Sequence, residues 1–517
     1  MKKKIIIFIF IFFSIHIVSV TANTEGIIDK QQKFSKQDTL VLGLDECIEY
    51  ALKNNYNASI SKQNFQLAEA QYQQAMSAYW PQLMLNSSYT RLSDAPNFIF
   101  PAQPMNLGSQ SLVFAQSIAN AQLAQQGITP TSLPGGLAAF NAALEQATQD
   151  VLRGLNTTPM PAWDVKIMEK KSFVNSLNWT YPLYTGGKIN AAVKQAKAGI
   201  DAAALKIKKT DLQIIHDVKK YYYACVLTEK LMNIGQTALE RMEATLELTE
   251  NLYQKGSGRI KKTDFLRNKI MVEGVRSAVS LVDGNAELAR LALADMLGLS
   301  YNVTICVKDK ELPFKPCNFE LEKFISGAYQ FNPDWNMLKA GLCAAEEKID
   351  EEKSGNLPKI GLFGSLNYIN NSYASGIMSD ENKKNWTAGI GMEFKIFDGM
   401  LTKNKIKEAR ARLKKMQKEQ LLAENGIAVM IKNIFISLNT CNEQEKSIGL
   451  ALQAAIENCD LNTRAYQEEL VETQDVIEAQ LLESFIQAQY QKIIFDNIEA
   501  FANLELIVGT EINKLFD

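Results

Sequence analysis

The sequence predicts an α+β membrane protein, because strands with one apolar and one polar face alternate with very long helices. Two stretches carry this prediction. Ser172–Lys188 alternates apolar and polar residues and then passes into a long helical period. Asn385–Thr402 makes the same change 213 residues later, with Gly399 in the place of Gly186.

The composition indicates an exported protein without a nucleic-acid surface. The chain has 517 residues, of which 46% are hydrophobic, and a formal net charge of −2. Residues 1–22 have the lysines, apolar run and small-residue cleavage site of a secretory signal peptide. An uncleaved membrane anchor is the alternative for this segment. We expect no later stretch to reach the roughly 18 apolar residues of a spanning helix.

The first half of the chain begins with a helix and a strand. Leu44 to Trp80 has helical apolar spacing that ends at Pro81, and a strand follows from Leu83 to Thr90. A proline-rich insertion, about residues 96–170, separates this strand from the next one. Its parts near residues 108–126 and 137–155 have helical character.

A helix of unusual length follows the second strand. From about Lys188 to Tyr253 its apolar positions are three and four residues apart, as in a coiled coil. About 66 residues at a rise of about 1.5 Å each would span roughly 100 Å. Glycines at 256 and 258 indicate a turn, and a returning helix is predicted from about Lys262 to Leu297.

The same order of elements occurs twice. Positions 277 residues apart match at Leu44 and Leu321, Asn55 and Asn332, and Pro81 and Pro358; later matches are 213 apart (Gly186 and Gly399, Tyr253 and Tyr466) or 211 apart (Asp264 and Asp475, Gly298 and Gly509). The fall from 277 to 213 locates 64 additional residues between the first two strands. We therefore predict an internally duplicated chain, with repeats at residues 44–300 and 321–517 and a linker at 301–320.

Four strands of about ten residues each are long enough to cross a bilayer but too few to close a barrel. Because a bilayer tolerates no open sheet edge, several chains must share one barrel. Three chains would give twelve strands, but the residues alone leave two or four copies open. A soluble coiled coil with short β caps is the alternative. Trp179, Tyr181 and Trp386 argue against it, since such side chains suit the interfacial belts of membrane proteins.

These features resemble the TolC-like outer-membrane efflux proteins. The resemblance rests on the duplicated halves, the strand exits PLYTGG at Pro182–Gly187 and KIFDG at Lys395–Gly399, and the turns that follow Tyr253 and Tyr466. It covers about Leu44 to Asp517, apart from the 64-residue insertion.

The resemblance implies a homotrimer in the outer membrane of a Gram-negative cell, surrounded by outer-membrane lipid. A twelve-stranded β-barrel, four strands per chain, would continue as a long periplasmic α-helical barrel. Residues 23–43 would be an N-terminal periplasmic segment, 301–320 an equatorial linker, and 96–170 an extracellular insertion.

The resemblance also implies a function. The protein would be the exit duct of a tripartite efflux or type I secretion system and would passively conduct small molecules or proteins. Its partners would be a periplasmic adaptor protein and an inner-membrane pump. The alternative is a non-pore structural coiled-coil protein of the periplasm.

Three groups of residues are candidates for functional positions. The strand–helix junctions contain Pro182, Gly186, Gly187 and Gly399. The periplasmic tips, where opposite charges are expected to pair and hold the duct shut, contain Gly256, Gly258, Arg259, Lys261, Lys262, Glu468, Glu469, Glu472 and Asp475. Solvated surface charge is the alternative for these tip residues. Glu393 and Lys395 are expected to face the barrel lumen.

No enzyme, metal site or cofactor is predicted. His216 is expected to pack in the helical wall or to be solvated rather than to act as a ligand or base, and the seven cysteines lack zinc spacing. Cys306 and Cys317 could pair across a short proline-containing segment. The basic stretch Lys403–Lys418 is expected to be a solvated helix face.

Overall fold

The computed structural model describes residues 39–104, 110–157, 159–166, 170–255, 261–317, 320–371, 383–468 and 470–509. The predicted signal peptide lies outside these ranges, as do Gly256, Gly258, Arg259 and Glu469. The chain divides into two compact units. Of the described residues, those within 39–75, 190–352 and 400–509 belong to the helical unit, and those within 76–189 and 353–399 belong to the sheet unit.

The elements follow one another in an order that is nearly the same in the two halves of the chain. The strands are β1 (Thr39–Leu42), β2 (Gln82–Arg91), β3 (Asn97–Phe100), β4 (Gln103–Pro104), β5 (Pro159–Met160), β6 (Trp163–Lys166), β7 (Lys171–Tyr184), β8 (Thr304–Val307), β9 (Lys359–Asn371) and β10 (Lys384–Glu393). The helices are α1 (Leu44–Asn54), α2 (Tyr56–Ser77), α3 (Gln110–Gln125), α4 (Gly136–Thr157), α5 (Lys188–Gln254), α6 (Lys262–Met296), α7 (Leu321–Phe331), α8 (Pro333–Lys353), α9 (Leu401–Gln467) and α10 (Thr473–Val508).

The four predicted strands form one antiparallel sheet in the order β10-β9-β7-β2. The last strand ends at Glu393, three residues before the predicted end at Ile396, so Lys395 follows the strand. Within the described part of the chain, no further strand pairs with the outer edge of β2 or β10. The sheet of a single chain therefore has two free edges.

The two faces of this sheet differ as the alternation predicts. Register places Trp179 opposite Leu83, and Trp386 opposite Leu366, so the large apolar side chains share one face. Leu83 and Trp386 are about 70% exposed (70% and 69%). Among the described residues, nothing covers this part of the apolar face.

Side-chain hydrogen bonds connect the strands on the opposite, polar face. Ser176 Oγ donates to Asn367 Oδ1 at 2.7 Å, and Asn367 Nδ2 donates to Asn385 Oδ1 at 2.8 Å. The hydroxyls of Ser365 and Thr387 lie 2.8 Å apart on adjacent strands. These bonds run across β7, β9 and β10, so the polar face is organised within one chain.

The described parts of the proline-rich insertion form regular elements. Two short ribbons, β3 with β6 and β4 with β5, lead to the helical pair α3 and α4. Ala115, Ala119 and Leu123 of α3 are buried, at the four-residue spacing of one helix face. The two helices lie close to the predicted helical segments.

The first helix of each repeat is divided by an asparagine. A single helix from Leu44 to Trp80 was the expectation, and it is wrong: α1 ends at Asn54 and α2 begins at Tyr56. Asn55 lies between them with extended backbone angles. Its Oδ1 accepts a hydrogen bond from the Asn57 backbone N–H at 2.8 Å, and its Nδ2 donates to the Met296 carbonyl at 2.8 Å.

Asn332 plays the same part in the second half, although its side chain caps the N–H three residues on rather than two. Its Oδ1 accepts from the Trp335 N–H at 2.8 Å, and its Nδ2 donates to the Ile507 carbonyl at 2.6 Å. Met296 and Ile507 lie at the ends of α6 and α10. Each asparagine therefore starts one helix and satisfies a terminal carbonyl of another, which otherwise has no intrahelical partner.

The linker between the halves is fixed by two other asparagines. Its strand β8 pairs in parallel with β1. Asn497 of α10 bonds both the N–H (3.1 Å) and the carbonyl (3.0 Å) of Lys315. Asn442 of α9 does the same at Cys317, at 3.2 and 3.4 Å. No disulfide joins Cys306 and Cys317, although both lie within the described residues.

The described residues of the helical unit form three apolar clusters. One includes Tyr222, Leu293 and Ile305, and a second includes Phe324, Leu438 and Leu504. A third, smaller cluster consists of Met242, Val272 and Ile477. The large side chains of these clusters are almost completely buried, so they contribute most of the hydrophobic stabilisation of the helical unit.

One described helix, α9, is long and apolar enough to cross a membrane, with a mean hydropathy of 1.5 over 18 residues. The expectation that no such stretch follows the signal segment is therefore wrong by length and composition. Ile427 and Ile431 of α9 pack into the second cluster, while Val429 and Met430 are exposed. The hydropathy of α9 thus comes from two faces, of which one lacks a partner in the single chain.

We predict that Asn55→Ala destabilises the helical unit by about 1–3 kcal/mol, because it leaves the Met296 carbonyl without its donor and α2 without its cap. Asn54→Ala is the control, since the exposed Asn54 side chain bonds only the Tyr50 carbonyl in its own helix. Thermal unfolding in detergent, followed by far-ultraviolet circular dichroism, measures both. Equal melting temperatures for the two variants would contradict the role of Asn55.

Candidate functional site

The first strand–helix junction depends on a glycine at position 186. The register of β7 against β9 shifts between Pro182 and Tyr184, and Gly186 and Gly187 then adopt positive φ angles of 65° and 85°. A Cβ atom at position 186 would lie 2.8 Å from Leu357 Cβ and 3.0 Å from the Ser354 carbonyl oxygen. Both the backbone conformation and the space therefore require glycine here.

At the second junction only the backbone conformation, and not the space, requires glycine. Gly399 has φ 67°, close to that of Gly186, and Met400 after it has φ 67° as well. Among the described residues, no heavy atom lies within 4 Å of a Cβ built on Gly399. The conformation of the two junction glycines is shared, whereas their surroundings are not.

The described tip residues act mainly as helix caps. Asp264 Oδ2 accepts from the Lys261 N–H at 2.9 Å, and Asp475 Oδ2 accepts from the Glu472 N–H at 3.1 Å. Lys262 is the first residue of α6, and Glu468 follows the end of α9. Among the described residues, no ion pair joins Lys261 or Lys262 to the acidic side chains of the second tip. Arg259 and Glu469 lie outside the described residues, so their part in the predicted pairing of the two tips stays a prediction.

A network of buried polar side chains lies a few turns from the tips, and we call it the distal seam. It joins the helix pair α5–α6 to the pair α9–α10. Its members are Arg241, Thr245 and Thr249 on α5, Asn268 on α6, Tyr466 on α9, and Thr473, Gln480 and Glu483 on α10. Except for Arg241, each of these side chains is buried.

The hydrogen bonds around Tyr466 have a defined direction. The Thr249 hydroxyl donates to the Thr245 carbonyl at 2.7 Å, so it can only accept from the Tyr466 hydroxyl, 3.0 Å away. The Tyr466 hydroxyl has then used its proton and accepts from Thr473, also at 3.0 Å. Asn268 Nδ2 donates to Thr249 at 3.4 Å. Tyr466 therefore links the two helix pairs through one directed chain.

An ion pair continues the seam away from the tips. Arg241 Nη1 donates to Glu483 Oε2 at 2.7 Å, and Gln480 Nε2 donates to Thr245 Oγ1 at 3.2 Å. The Arg241 side chain is 48% exposed, whereas that of Glu483 is only 7% exposed. The buried carboxylate thus depends on an arginine that solvent can reach.

A cavity of about 350 Å³ opens beside this ion pair. Its lining includes Arg241, Thr245, Cys459, Gln480 and Glu483. Burial, followed by the hydrogen bond and the charge of Glu483, raises the pKa of the Cys459 thiol to about 11. The thiol is therefore almost entirely protonated near neutral pH and is a poor nucleophile.

The distal seam also contains two buried side-chain oxygens that lower the stability of the fold. Within the described residues, neither Asn268 Oδ1 nor Gln480 Oε1 has a hydrogen-bond partner, although both are buried. A buried acceptor left unsatisfied costs about 1–3 kcal/mol. The seam is therefore specific in its contacts but not optimised for stability.

Sequence reasoning missed the distal seam, although a signal was present. Ala238, Met242, Thr245 and Thr249 follow one another at spacings of four, three and four residues, which is a core pattern. Apolar residues occupy its beginning and threonines its end. A change from apolar to polar residues along one buried helix face is the feature that would have located it.

His216 behaves as expected for a wall residue. Its ring nitrogens contact Asp217 Oδ1 at 2.8 Å and Asn503 Oδ1 of α10 at 3.0 Å, and the side chain is mostly buried. In the described part of the chain, no group of three or more His, Cys, Asp or Glu side chains is arranged to hold a metal ion.

Comparison with known proteins identifies one family. The model of the family described as outer membrane efflux protein matches residues 162–299 and 324–510. Protein CyaE of Bordetella pertussis is 23% identical over 261 residues, or 50% of this chain and 54% of that protein. Outer membrane protein TolC of Vibrio cholerae is 21% identical over 295 residues, or 54% of this chain and 67% of that protein. The first alignment thus spans about half the length of its relative.

The fold has solved counterparts. The outer membrane protein VceC from Vibrio cholerae superimposes with a TM-score of 0.66 at 16% sequence identity. The superposition covers 90% of this chain and 96% of VceC. The similarity therefore extends over nearly the whole fold of both proteins.

We predict that Gly186→Ala lowers the yield of folded protein in the membrane several-fold more than Gly399→Ala does. Both variants carry the cost of a positive φ, roughly 1–2 kcal/mol, but only the first adds a contact of 2.8 Å. Quantitative immunoblotting of membrane fractions compares them. Equal yields would show that the space around Gly186 does not matter.

We also predict that Cys459 resists thiol reagents near pH 8 and that Arg241→Ala makes it react roughly fivefold faster. The reason is that a half-exposed ion pair contributes about 1 kcal/mol to closing the seam. The exposed Cys343 is the internal control, and its labelling rate should not change. Mass spectrometry of the labelled peptides reports both sites. Fast labelling of Cys459 in the unmodified protein would contradict its burial.

Proposed function

The chain belongs to the outer membrane efflux protein family, and we propose that it forms the exit duct of a tripartite efflux or type I secretion system. It is an outer-membrane protein and not an enzyme. The proposed duct conducts small molecules or proteins passively from an inner-membrane pump, joined by a periplasmic adaptor, to the outside of the cell. The family name and the similarity to TolC and CyaE support this proposal.

The observation that carries the proposal is the two-faced sheet. One face exposes large apolar side chains such as Leu83 and Trp386, and the other is a hydrogen-bonded polar surface. Such a sheet suits a wall with lipid on one side and water on the other. A non-pore coiled-coil protein would have no use for an exposed apolar face of this kind.

We propose that three chains share one twelve-stranded barrel. The free edges of β2 and β10 support this, because backbone groups at a sheet edge must find partners inside a bilayer. The unpartnered apolar side chains of the long helices, such as Ile270 and Leu288 on α6 and Val429 on α9, support contacts between copies. Outer-membrane lipid would then cover the apolar face of the barrel, with Glu393 and Lys395 facing its lumen.

We also propose the internal duplication and the two repeats, residues 44–300 and 321–517. The support lies in equivalent contacts at equivalent positions. Asn55 and Asn332 both donate to the carbonyl at the end of a returning helix, at Met296 and Ile507, and Asp264 and Asp475 make the same cap. The proposed repeats cut across the compact units, since each contributes two strands and two helices of a pair.

We propose that the distal seam is the closure of the duct at its periplasmic end. It joins the helix pair of the first repeat to that of the second, so moving one pair away from the other must break it. A neutral hydrogen bond contributes about 0.5–1.5 kcal/mol. The bonds from Tyr466 to Thr249 and from Gln480 to Thr245, with the ion pair of Glu483, therefore hold a closed state that a docking adaptor can release.

We predict that the purified protein forms ion channels in planar bilayers, while light scattering in detergent gives the mass of three chains after correction for bound detergent. A chain that stays soluble without detergent after signal removal, and carries no current, would favour the structural coiled coil instead.

We predict that Tyr466→Phe raises the conductance of the closed duct, and that combining it with Arg241→Ala raises it further. The phenylalanine keeps the buried ring but loses the hydroxyl that joins Thr249 to Thr473. Tyr490→Phe is the matched control, because the Tyr490 hydroxyl bonds Glu445 within the pair α9–α10. Its conductance should equal that of the unmodified protein. An unchanged conductance for the double variant would remove the seam from the closure.

A further inference from the structure

A stripe of five cations lies on one exposed face of α9, near the start of the helix. The segment Lys403–Lys418 contains eight Lys or Arg residues and a single acid, Glu408, within a chain whose formal net charge is −2. With about 100° of rotation per residue, positions spaced by three and four share one face. The basic stripe consists of Lys403, Lys407, Arg410, Lys414 and Lys418, and each is exposed.

The basic stripe differs in charge balance from the other solvated face of the same helix, roughly 130° away around the axis. On that face Arg412 pairs with Glu408 at 3.0 Å, and Lys415 pairs with Glu419 at 3.4 Å. No member of the stripe forms an ion pair with any residue that the structure describes. One solvated face of α9 is therefore close to neutral, and the other carries a single sign.

The basic stripe is also separate from the packing face of the helix. Thr402 and Ala409 are buried, and Met416 of the same row packs against Gly341 of α8. This row lies roughly 140° away from the stripe around the helix axis. The five cations are therefore not needed for packing within the chain.

The helix of the first repeat shows that the fold does not require the stripe. The positions 213 residues earlier on α5 are Asn190, Lys194, Lys197, Asp201 and Leu205. They include an acid and an apolar residue, and Lys194 is paired with Glu347 at 2.9 Å. Like charges at these spacings destabilise a helix by about 0.2–0.5 kcal/mol per pair. A stripe that costs stability and is absent from the equivalent helix calls for a functional reason.

We propose that the basic stripe lines the lumen of the helical duct and makes the duct selective for anionic solutes. This inference rests on the proposed duct and names the class of substrate that it favours. Three copies would supply fifteen cations along about 22 Å of the helix axis, at about 1.5 Å per residue. A lining of one sign attracts ions of the opposite sign, and the low-dielectric walls of a narrow channel focus that field.

The direction of the stripe argues for the lumen rather than for the membrane surface. It runs parallel to the helix axis, which in the proposed duct is the direction in which a solute travels. A membrane surface at the start of α9 would meet only the first members, Lys403 and Lys407. Only a partner that moves or extends along the helix can interact with all five cations of the stripe.

The test compares two triple variants with the same change in charge. The stripe variant replaces Lys407, Arg410 and Lys414 by Gln, and the control variant replaces Lys405, Arg412 and Lys415 by Gln on the remaining faces of the same segment. Reversal potentials in a potassium chloride gradient give the permeability ratio of chloride to potassium. At about 0.1 M salt we expect the stripe variant to lower this ratio about twofold or more and the control to leave it unchanged. The difference should shrink at 1 M salt, where the Debye length falls to about 3 Å.

Labelling inside the recording chamber tests the direction of the stripe by a second route. In a chain with Cys343→Ser, the variant Arg410→Cys should lose current when a negatively charged, membrane-impermeant thiol reagent is added. Arg412→Cys in the same background should keep its current. This comparison needs only one substitution in the stripe, so it still decides the matter if the triple variant does not fold.

The possible results separate the inference from the duct itself. An unmodified protein that carries no current would contradict both the proposed duct and its anion selectivity. An unmodified protein that conducts, with equal permeability ratios in the two triple variants, would leave the duct intact and overturn the anion selectivity. Current loss in Arg412→Cys but not in Arg410→Cys would place the stripe on the outer surface and overturn it as well.

Discussion

The demand of backbone groups for hydrogen bonds at the free edges of the sheet is the constraint on which the rest of this structure depends. A sheet with exposed edges and an apolar face such as that of Leu83 and Trp386 is unstable alone in water and unstable alone in a bilayer. The proposed shared barrel resolves both problems at once. The proposed barrel also determines the arrangement of the helices. Because the strands of such a barrel lie in a ring, the long helices that follow them would start in a ring as well.

The two halves of the chain agree at positions that set the backbone and differ at positions that solutes or partners would meet. Asn55 and Asn332 both donate to the carbonyl at the end of a returning helix, and Gly186 and Gly399 share one conformation. By contrast, the insertion at 96–170 and the basic stripe on α9 have no equivalent in the other half. The positions at which the two halves agree thus stabilise the fold. The positions at which they differ lie on the surfaces that we propose to be functional.

The elements of the fold could be predicted because strands and long helices have different periods and each occurs twice. The break at Asn55 could not, since an asparagine in a helical pattern is unremarkable in local terms. What divides the helix is a hydrogen bond to Met296, which is 241 residues away in the chain. The same holds for the linker, where Asn497 holds Lys315 across a separation of 182 residues. Periodicity identifies elements, whereas bonds between distant side chains decide where they bend and end.

Along the long helix α5, the buried side chains change from apolar to polar. This change explains how the helical assembly can be stable and still open at one end. In its middle, α5 buries Val218, Tyr222 and Val226, which exclude water and pack against the linker. Toward its end the same face carries Thr245 and Thr249, whose hydroxyls bond the other helix pair. Separating apolar side chains exposes surface at about 25 cal/mol per Å², with no compensation from water. Separating hydroxyls and an ion pair exchanges protein partners for water, at a net cost of about 1 kcal/mol each. Only the small apolar cluster of Met242, Val272 and Ile477 adds to the polar contacts of the distal seam. The helix pairs should therefore part more readily at the distal seam than in their middle, which is the behaviour a gated duct requires.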